Sequence, residues 1–388
     1  MASTQRLVSK KSLSNFSSKN LFVLKFLVGL SVSIIAQQVC AVELQKQVIV
    51  PLGVEYDTNP DMSGAIRYPV WRYTVAPRLV LNIDDGSNNW LVDGSILLQR
   101  HSNDDVVLKH REDPSLILGW KRAFEFNTFS VNANYSEASS RLTEFKTTGI
   151  VTAEGTTRTK SIDGNWLHAF SDKLMLSVAG LHDDISYSGV ALTDYTASTI
   201  SPTLTYSLNE KVDPFVQLRY SHYNPDDVLI DSSNLVAAIV GVNVKATDSF
   251  NWGIRAGLND VSGAESRTFW TGGVTGDYTT TNTRTIVELA RTIGAAGIGG
   301  YLESDNLKVG WAYDISQVNR AGVDLAWHKS KAADKYEARQ FGGWYEHDLN
   351  KHWLARLSVI HRESQFVGGA DAAANIVGVT AVFNSLNF

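Results

Sequence analysis

The stretch that decides the fold runs from position 71 to position 82: Trp71-Arg-Tyr-Thr-Val-Ala-Pro-Arg-Leu-Val-Leu-Asn82. Apolar side chains occupy alternate positions, and arginine, threonine and asparagine stand on positions between them. Because successive side chains of a strand point to opposite faces, this alternation predicts a strand with one apolar and one polar face. Strands of globular proteins typically have about 5–6 residues, whereas a tilted strand that crosses a bilayer needs about 9–11. The stretch therefore indicates a strand that crosses a membrane.

The same period of two recurs along the rest of the chain. It predicts about eighteen strands, or sixteen if the glycine-rich stretch 260–300 is a long loop. The predicted strands are 46–57, 70–82, 89–102, 108–122, 126–138, 156–169, 174–187, 195–208, 214–223, 233–246, 250–260, 266–279, 284–294, 300–315, 320–329, 335–348, 353–363 and 374–388. No continuous apolar run of membrane-helix length follows residue 41.

Two kinds of connection alternate between these strands. Short polar turns such as 84–87 and 209–211 alternate with longer segments such as 59–69 and 139–155. Short turns on one side and long loops on the other are typical of outer-membrane barrels. Hydrocarbon offers backbone N–H and C=O groups no partner, so a spanning sheet must close on itself. The predicted fold is an all-β, closed antiparallel transmembrane barrel with periplasmic turns and extracellular loops; the alternative is a soluble β-sandwich.

The first 41 residues have the features of a secretory signal peptide. A basic segment is followed by the apolar run 26–36 and by Val39-Cys40-Ala41, a small-residue cleavage site. The run is shorter than the ~20 residues of a membrane-spanning helix, which disfavours the alternative of an anchor. We expect a signal peptide at 1–41, cleavage near Ala41 and a barrel at 42–388, located in the outer membrane of a Gram-negative bacterium.

The last residues resemble an assembly signal. Leu386 and the terminal Phe388 continue an alternation of apolar positions that begins upstream at Val382. A terminal aromatic residue in this pattern predicts recognition by the barrel-assembly machinery. The last strand would then pair with the first and leave no free sheet edge.

Composition excludes several classes of function. The single cysteine, Cys40, rules out a disulfide scaffold and a cysteine-rich zinc site. A formal charge of -5 does not suggest nucleic-acid binding. His182-Asp183-Asp184 is more simply a polar strand end than a metal site, and the glycines of 272–276 lack the lysine of a phosphate-binding loop. We predict no enzyme activity, no cofactor and no metal.

The face opposite the apolar positions would line the lumen, and arginine is frequent there. The planar guanidinium group of arginine can form two hydrogen bonds with a carboxylate or phosphate group, and rings of basic residues make pores selective for anions. The same residues facing acids across the wall would form ladders that merely make the wall rigid. Both interpretations remain open for the predicted lumen residues, which are Arg72, Arg78, Arg219, Arg255, Arg267, Arg284, Glu288, Lys308, Arg356 and Arg362.

Short motifs resemble the β-barrel porin 2 family of outer-membrane proteins, which are associated with exopolysaccharide and capsule gene clusters. They are Leu52-Gly-Val-Glu-Tyr-Asp-Thr-Asn-Pro60, the stretch 267–278, Thr283-Arg-Thr285 and Gly300-Tyr-Leu-Glu-Ser-Asp305. The turn 279–283 departs from the Trp-x-Pro-Thr pattern that the family often has. The resemblance implies an outer-membrane barrel linked to polysaccharide secretion, and it implies no catalytic residues.

Two functions follow from these observations. The first is a passive channel for an anionic or polysaccharide solute, and the second is a structural barrel with a plugged lumen that scaffolds a secretion complex. Expected partners are outer-membrane lipid and lipopolysaccharide, the barrel-assembly machinery, and the exopolysaccharide with its export proteins.

Overall fold

The computed structural model describes residues 42–385 apart from 65–66, 103–109, 149–153, 264–265, 332–334 and 367–370, and apart from the side chains of Lys335 and Phe366. The predicted signal peptide with Cys40 and the predicted assembly signal at Leu386 and Phe388 lie outside these residues. The described part contains nineteen strands and one helix. They are β1 Glu43–Asp57, β2 Val70–Val75, β3 Arg78–Asp84, β4 Asn88–His101, β5 Arg111–Ala123, β6 Asn127–Ser139, α1 Ser140–Thr147, β7 Thr156–Ala169, β8 Leu174–Ser188, β9 Tyr195–Tyr206, β10 Val212–Pro225, β11 Ser233–Lys245, β12 Phe250–Ser262, β13 Arg267–Thr279, β14 Thr283–Ala295, β15 Tyr301–Ser316, β16 Asn319–Lys331, β17 Lys335–Asp348, β18 Trp353–Phe366 and β19 Ala372–Asn384.

The strands form one closed antiparallel barrel. Strands that follow one another in the chain are paired, except that β2 and β3 both pair with β1 and with β4. β1 closes the sheet by pairing Ile49–Asp57 with Ile376–Asn384 of β19. A closed sheet satisfies the backbone of every strand and removes the free edges. The predicted pairing of the last strand with the first is thus confirmed.

Two of the nineteen strands share one position in the wall. Leu52 of β1 lies opposite Val75 of β2, and Ile49 of β1 lies opposite Arg78 of β3, in one unbroken register. The ladder is interrupted at Pro77, since proline has no backbone N–H to donate. The prediction of a single strand at 70–82 is corrected only in this respect, and the wall has the predicted eighteen positions. Sixteen strands is wrong, because 260–300 contains the end of β12 and all of β13 and β14, and β15 begins directly after it at Tyr301.

The connections alternate in length as predicted. At one end of the barrel, here called the short-turn end, consecutive strands are joined by two to five residues, as at 317–318 and 207–211. The opposite, long-loop end carries 58–69 and 140–155. The second of these contains α1, which the sequence pattern did not predict. No helix among the described residues has the length and apolar character needed to cross a membrane.

The outer face of the barrel is apolar and has aromatic residues near its ends. Residues paired across a ladder share a face. Tyr56 lies opposite Trp71, which is 47% exposed, so both rings lie on the outer face of the wall. Their rings lie 5.1 Å apart near the long-loop end. Near the short-turn end, outward ring pairs include Trp90–Trp120 and Trp311–Tyr313. Five tryptophans face outward by strand parity; they are Trp71, Trp90, Trp252, Trp311 and Trp353.

Candidate functional site

All ten predicted lumen residues lie on the inner face. The ladders show this directly, since Arg72 lies opposite Glu55 while the neighbouring Val54 is exposed on the outside. Following the same parity around the barrel places every other predicted residue inside. They are Arg78 on β3, Arg219 on β10, Arg255 on β12, Arg267 on β13, Arg284 and Glu288 on β14, Lys308 on β15, and Arg356 and Arg362 on β18.

Several of these residues are matched by opposite charge in the wall. Such pairs hold neighbouring strands together and reduce the field in the lumen, as the ladder interpretation expects. The pairs are Arg72–Asp57, Arg78–Asp93 (Nε to Oδ1, 2.8 Å), Arg284–Asp277 (3.9 Å), Arg356–Glu346 (3.2 Å), and Glu288 facing Lys308 across the β14–β15 ladder.

Four lumen arginines have no carboxylate within 4 Å among the described residues. Arg219 lies near the Tyr301 hydroxyl, Arg267 lies over the Phe269 ring at 4.9 Å, and Arg362 donates to Gln340 Oε1 at 2.9 Å. Arg255 is exposed to the lumen. The wall therefore contains arginines that are matched by a carboxylate and arginines that are not.

The arginines of β12, β13 and β14 form a line along the wall. Arg267 is on β13, Arg255 lies opposite Gly273 of β13, and Arg284 lies opposite Thr279 of β13. Measured along β13, the three arginines are therefore at the levels of residues 267, 273 and 279. At a rise of about 3.3 Å per residue, neighbours in this line are about 20 Å apart. They form a column along the passage, and they are too far apart to bind one small anion together.

A helix from the long-loop end lies inside the barrel. In α1, Glu144 Oε1 accepts from the Tyr187 hydroxyl of β8 at 3.1 Å. On the other side of the helix, the Arg362 guanidinium of β18 lies 5.9 Å from the centre of the Phe145 ring. Because β8 and β18 belong to well-separated parts of the wall, α1 crosses the lumen between them. The connection predicted at 139–155 lies at the long-loop end, and the helix within it folds into the lumen, which the sequence did not predict.

The end of the β14–β15 hairpin also turns into the lumen. The β13–β14 ladder reaches Gly272 opposite Arg291 and goes no further toward the long-loop end, whereas β14 stays paired with β15 up to Ala295. Beyond the ladder, Ile293 packs in a buried cluster with Leu235 on the inner face of β11. Apolar contact with the inner wall therefore holds the hairpin end inside.

The tip of this hairpin reaches the inner faces of β8 and β10. The Tyr301 hydroxyl donates to the carbonyl oxygen of Ser221 in β10 at 2.9 Å. Gly297 lies so close to Tyr187 that a Cβ atom at this position would be 2.7 Å from the ring. Gly300 has φ of 99°, which favours glycine in the turn. Tyr187 thus lies between the hairpin tip and α1.

A cavity of about 370 Å³ lies between α1 and the hairpin tip. Its lining is rich in hydroxyl groups and has one carboxylate, that of Glu144. The lining includes Thr143, Thr147, Thr148, Thr157, Thr159, Tyr187, Tyr195, Thr292 and Ser304. Hydroxyl groups both donate and accept hydrogen bonds, so this constriction suits a small polar solute.

The Glu144 carboxyl is buried at the cavity between α1 and the hairpin tip. Burial raises its pKa, while hydrogen bonds from Thr148 and Tyr187 oppose that rise. The side chain is almost fully buried, with a residue exposure of 4%. The group therefore keeps its proton to higher pH than a carboxyl in water.

No group of three or more potential metal ligands occurs in the described part of the chain.

The sequence contained weak signals for these inserted segments. Ser139 caps α1 by accepting from the Leu142 N–H, and serine is a preferred residue at this position. The glycines at 294–300 blurred the predicted strand boundaries, and they form the hairpin tip. Neither signal indicates whether a loop lies outside the barrel or folds into it.

No family model and no curated protein matches this chain. Among solved structures, it is similar to OccAB3 of Acinetobacter baumannii, with a TM-score of 0.48, 11% identity and coverage of 89% of this chain and 100% of that one. For OccAB4 of the same species these values are 0.49, 11%, 88% and 98%. For OpdK of Pseudomonas aeruginosa with vanillate they are 0.49, 10%, 88% and 99%. At such identities the similarity concerns the arrangement of strands and carries nothing about the residues inside the barrel.

Proposed function

We propose that the protein is a passive outer-membrane channel whose constriction is formed by α1 and the tip of the β14–β15 hairpin. The hydroxyl-lined cavity between these two inserted segments is the observation that carries this proposal. A wall of eighteen positions encloses a lumen wide enough for a water-filled passage. Segments that narrow the lumen without being part of the wall allow selection by size and by hydrogen bonding.

The outer surface supports a position in a bilayer. Its apolar rows lie between aromatic residues near the two ends, which is the arrangement of transmembrane barrels. Outward ion pairs lie beyond the apolar rows at the long-loop end, including Arg158–Glu137 and Lys160–Asp184. We assign the long-loop end to the cell exterior, where these charges would meet lipopolysaccharide head groups, and the short-turn end to the periplasm.

The chemistry of the passage favours a small hydroxylated solute. Threonine, serine and tyrosine hydroxyls match a saccharide, and the unpaired arginines attract solutes that also carry negative charge. The cavity of about 370 Å³ fits a small molecule rather than a folded polymer. We therefore propose that, if the channel serves exopolysaccharide secretion, its solutes are saccharide units or short fragments of the polysaccharide.

The test is conduction by the purified full-length protein in planar bilayers and vesicles. We expect steady channels, and we expect vesicle swelling to be faster with glucose than with raffinose. Replacing residues 296–300 by a two-residue Asn-Gly turn should raise conductance and reduce this difference, since the hairpin tip is shortened. Folded protein that never conducts would contradict the proposal.

A structural barrel with a plugged lumen is the second candidate. The observation in its favour is that α1 is held to the wall by the Glu144–Tyr187 hydrogen bond and to the connection 58–69 by the ion pair of Arg141 with Asp61. A silent native barrel that conducts only after the hairpin tip is shortened would favour this second function.

A further inference from the structure

The wall between β13 and β14 is sealed along only part of its length. From Gly272 toward the long-loop end, β13 continues to Arg267 paired with β12, and β14 continues past Arg291 paired with β15. The two strands separate there because the end of β14 turns inward, where Ile293 is buried against Leu235. The inward turn that builds the constriction therefore opens the wall behind it.

A cavity of about 420 Å³ marks the place where the strands separate. Residues from both faces of the sheet line it. The outward-facing ones include Ile254, Trp270, Val274 and Leu289, and the inward-facing ones include Arg255 and Ala290. The cavity, here called the β13–β14 slot, is thus lined by residues of both faces at the last pairs of the ladder, next to the place where the two strands separate.

The rim of the slot is charged. The Arg291 guanidinium lies 4.0 Å from the centre of the Trp270 ring and donates to both carboxylate oxygens of Asp305, at 2.6 and 2.9 Å. An apolar cleft with an ionic rim matches the two parts of an amphipathic molecule. Hydrocarbon fits the cleft, and a polar head group fits the rim.

We propose that the β13–β14 slot is a lateral opening that takes the hydrocarbon chain of an amphipathic molecule from the outer leaflet. The proposal rests on the bilayer position proposed above. In that position the slot opens in the half of the wall nearer the exterior, where acyl chains cover the outer face. The inward face of the slot would give such a chain access to the lumen from the side.

Photolabelling of the full-length protein in phosphatidylcholine vesicles tests the opening. The probe is palmitic acid with a diazirine on its chain, and labelled residues are located by mass spectrometry. We expect label on inward-facing Ala290, which is 3% exposed, as well as on outward residues. Val274→Trp should fill the slot and lower this inward label several-fold.

The matched control is Val240→Trp, which adds the same ring to an outward, exposed position of β11 and should leave the label at Ala290 unchanged. If Val274→Trp does not give a heat-modifiable folded band, Leu289→Trp replaces it, because Leu289 lies directly opposite Val274. Label confined to outward residues, or inward label that survives both fillings, would overturn the proposal. Conduction is measured on the same variants, so loss of the channel function is distinguished from loss of the opening.

Discussion

Two parts of the wall contain lumen arginines but are constructed differently. At the closing seam, formed by β18, β19, β1 and β2, the β18–β19 ladder has twelve residue pairs, and Arg72 is buried against Asp57. On the other side, the β13–β14 ladder has eight pairs, and Arg255 and Arg267 have no carboxylate within 4 Å in the described part of the chain.

The comparison distinguishes arginines that pair with acids in the wall from arginines whose charge faces the lumen. At the seam, the charges of Arg72 and Arg356 are neutralised by carboxylates in the sheet, and Arg72 helps to hold the barrel closed. Where the β13–β14 ladder stops, the hairpin end is free to enter the lumen, and the arginine charge is left to the passage. The hairpin tip of the proposed constriction, the lateral slot and two of the four unpaired arginines, Arg255 and Arg267, therefore occur together on the side with the shorter ladder.

The largest expected effect is the loss of a seam arginine. Arg72→Ala leaves Asp57 without its partner, although the Asp57 side chain is only 3% exposed. Removing one member of a buried ion pair costs about 3–5 kcal/mol, so the free energy of unfolding should fall by that amount. Urea titration of the protein in lipid vesicles measures it.

Arg267→Ala is the control on the other side of the barrel. Its side chain is exposed, and its loss should change the free energy of unfolding by less than about 0.5 kcal/mol. The double variant Arg72→Met with Asp57→Leu should recover much of the lost stability, since an apolar pair replaces the ionic one. If Arg72→Ala were as stable as the native protein, the seam arginine would not stabilise the barrel more than Arg267 does.

The second expected effect concerns the hairpin tip. In Gly297→Leu the Cβ atom alone would be 2.7 Å from the Tyr187 ring. The larger side chain should therefore displace the hairpin tip from Tyr187, and conductance should rise several-fold. Gly294→Ala is the matched control on the same hairpin, because a Cβ there meets nothing within 4 Å. Unchanged single-channel conductance in Gly297→Leu would show that the tip does not limit the passage.

A smaller effect is expected from pH. Burial raises the pKa of Glu144, so the folded protein holds this proton more tightly than the unfolded chain does. The stabilisation of docked α1 is therefore full below the ordinary pKa of about 4.3 and declines as pH rises through the raised value. We expect conductance and current noise to rise over this range.

Glu144→Gln should remove this pH dependence, because a neutral amide replaces the carboxyl while keeping its size. Glu125→Gln, at an exposed position of a short turn, should leave the pH dependence as it is in the native protein. A pH dependence that persists in Glu144→Gln would assign it to another group.

The smallest expected effect is on ion selectivity. Changing Arg255, Arg267 and Arg284 to Glu should shift preference toward cations at low salt, mostly through the first two, since Arg284 already lies 3.9 Å from Asp277. The shift should nearly vanish in 1 M salt, where the Debye length falls to about 3 Å. Reversal potentials at two salt concentrations measure the shift. If the triple variant kept the native selectivity at low salt, these arginines would have a structural role in the wall and no role in selectivity.

Much of the wall was predictable from local periodicity. The eighteen positions, the two faces and the inward placement of residues as distant as Arg72 and Arg356 follow from strand parity alone. The break at Pro77 was visible in the sequence, but the continuous register on both sides of it was not. Which arginines meet acids could not be predicted, because a pair such as Arg78–Asp93 depends on the register between strands.

The sequence by itself determined a closed barrel, since alternation gives each strand an apolar face and backbone hydrogen bonding forbids free edges in hydrocarbon. Only the tertiary structure decided how that barrel is filled. The inward position of α1 depends on contacts with Tyr187 and Arg362, residues far from it in the chain. The hairpin tip likewise depends on a glycine that fits against a ring of β8. Contacts between residues distant in sequence carry no local periodicity, so the passage and the slot became visible only when the strands were assembled.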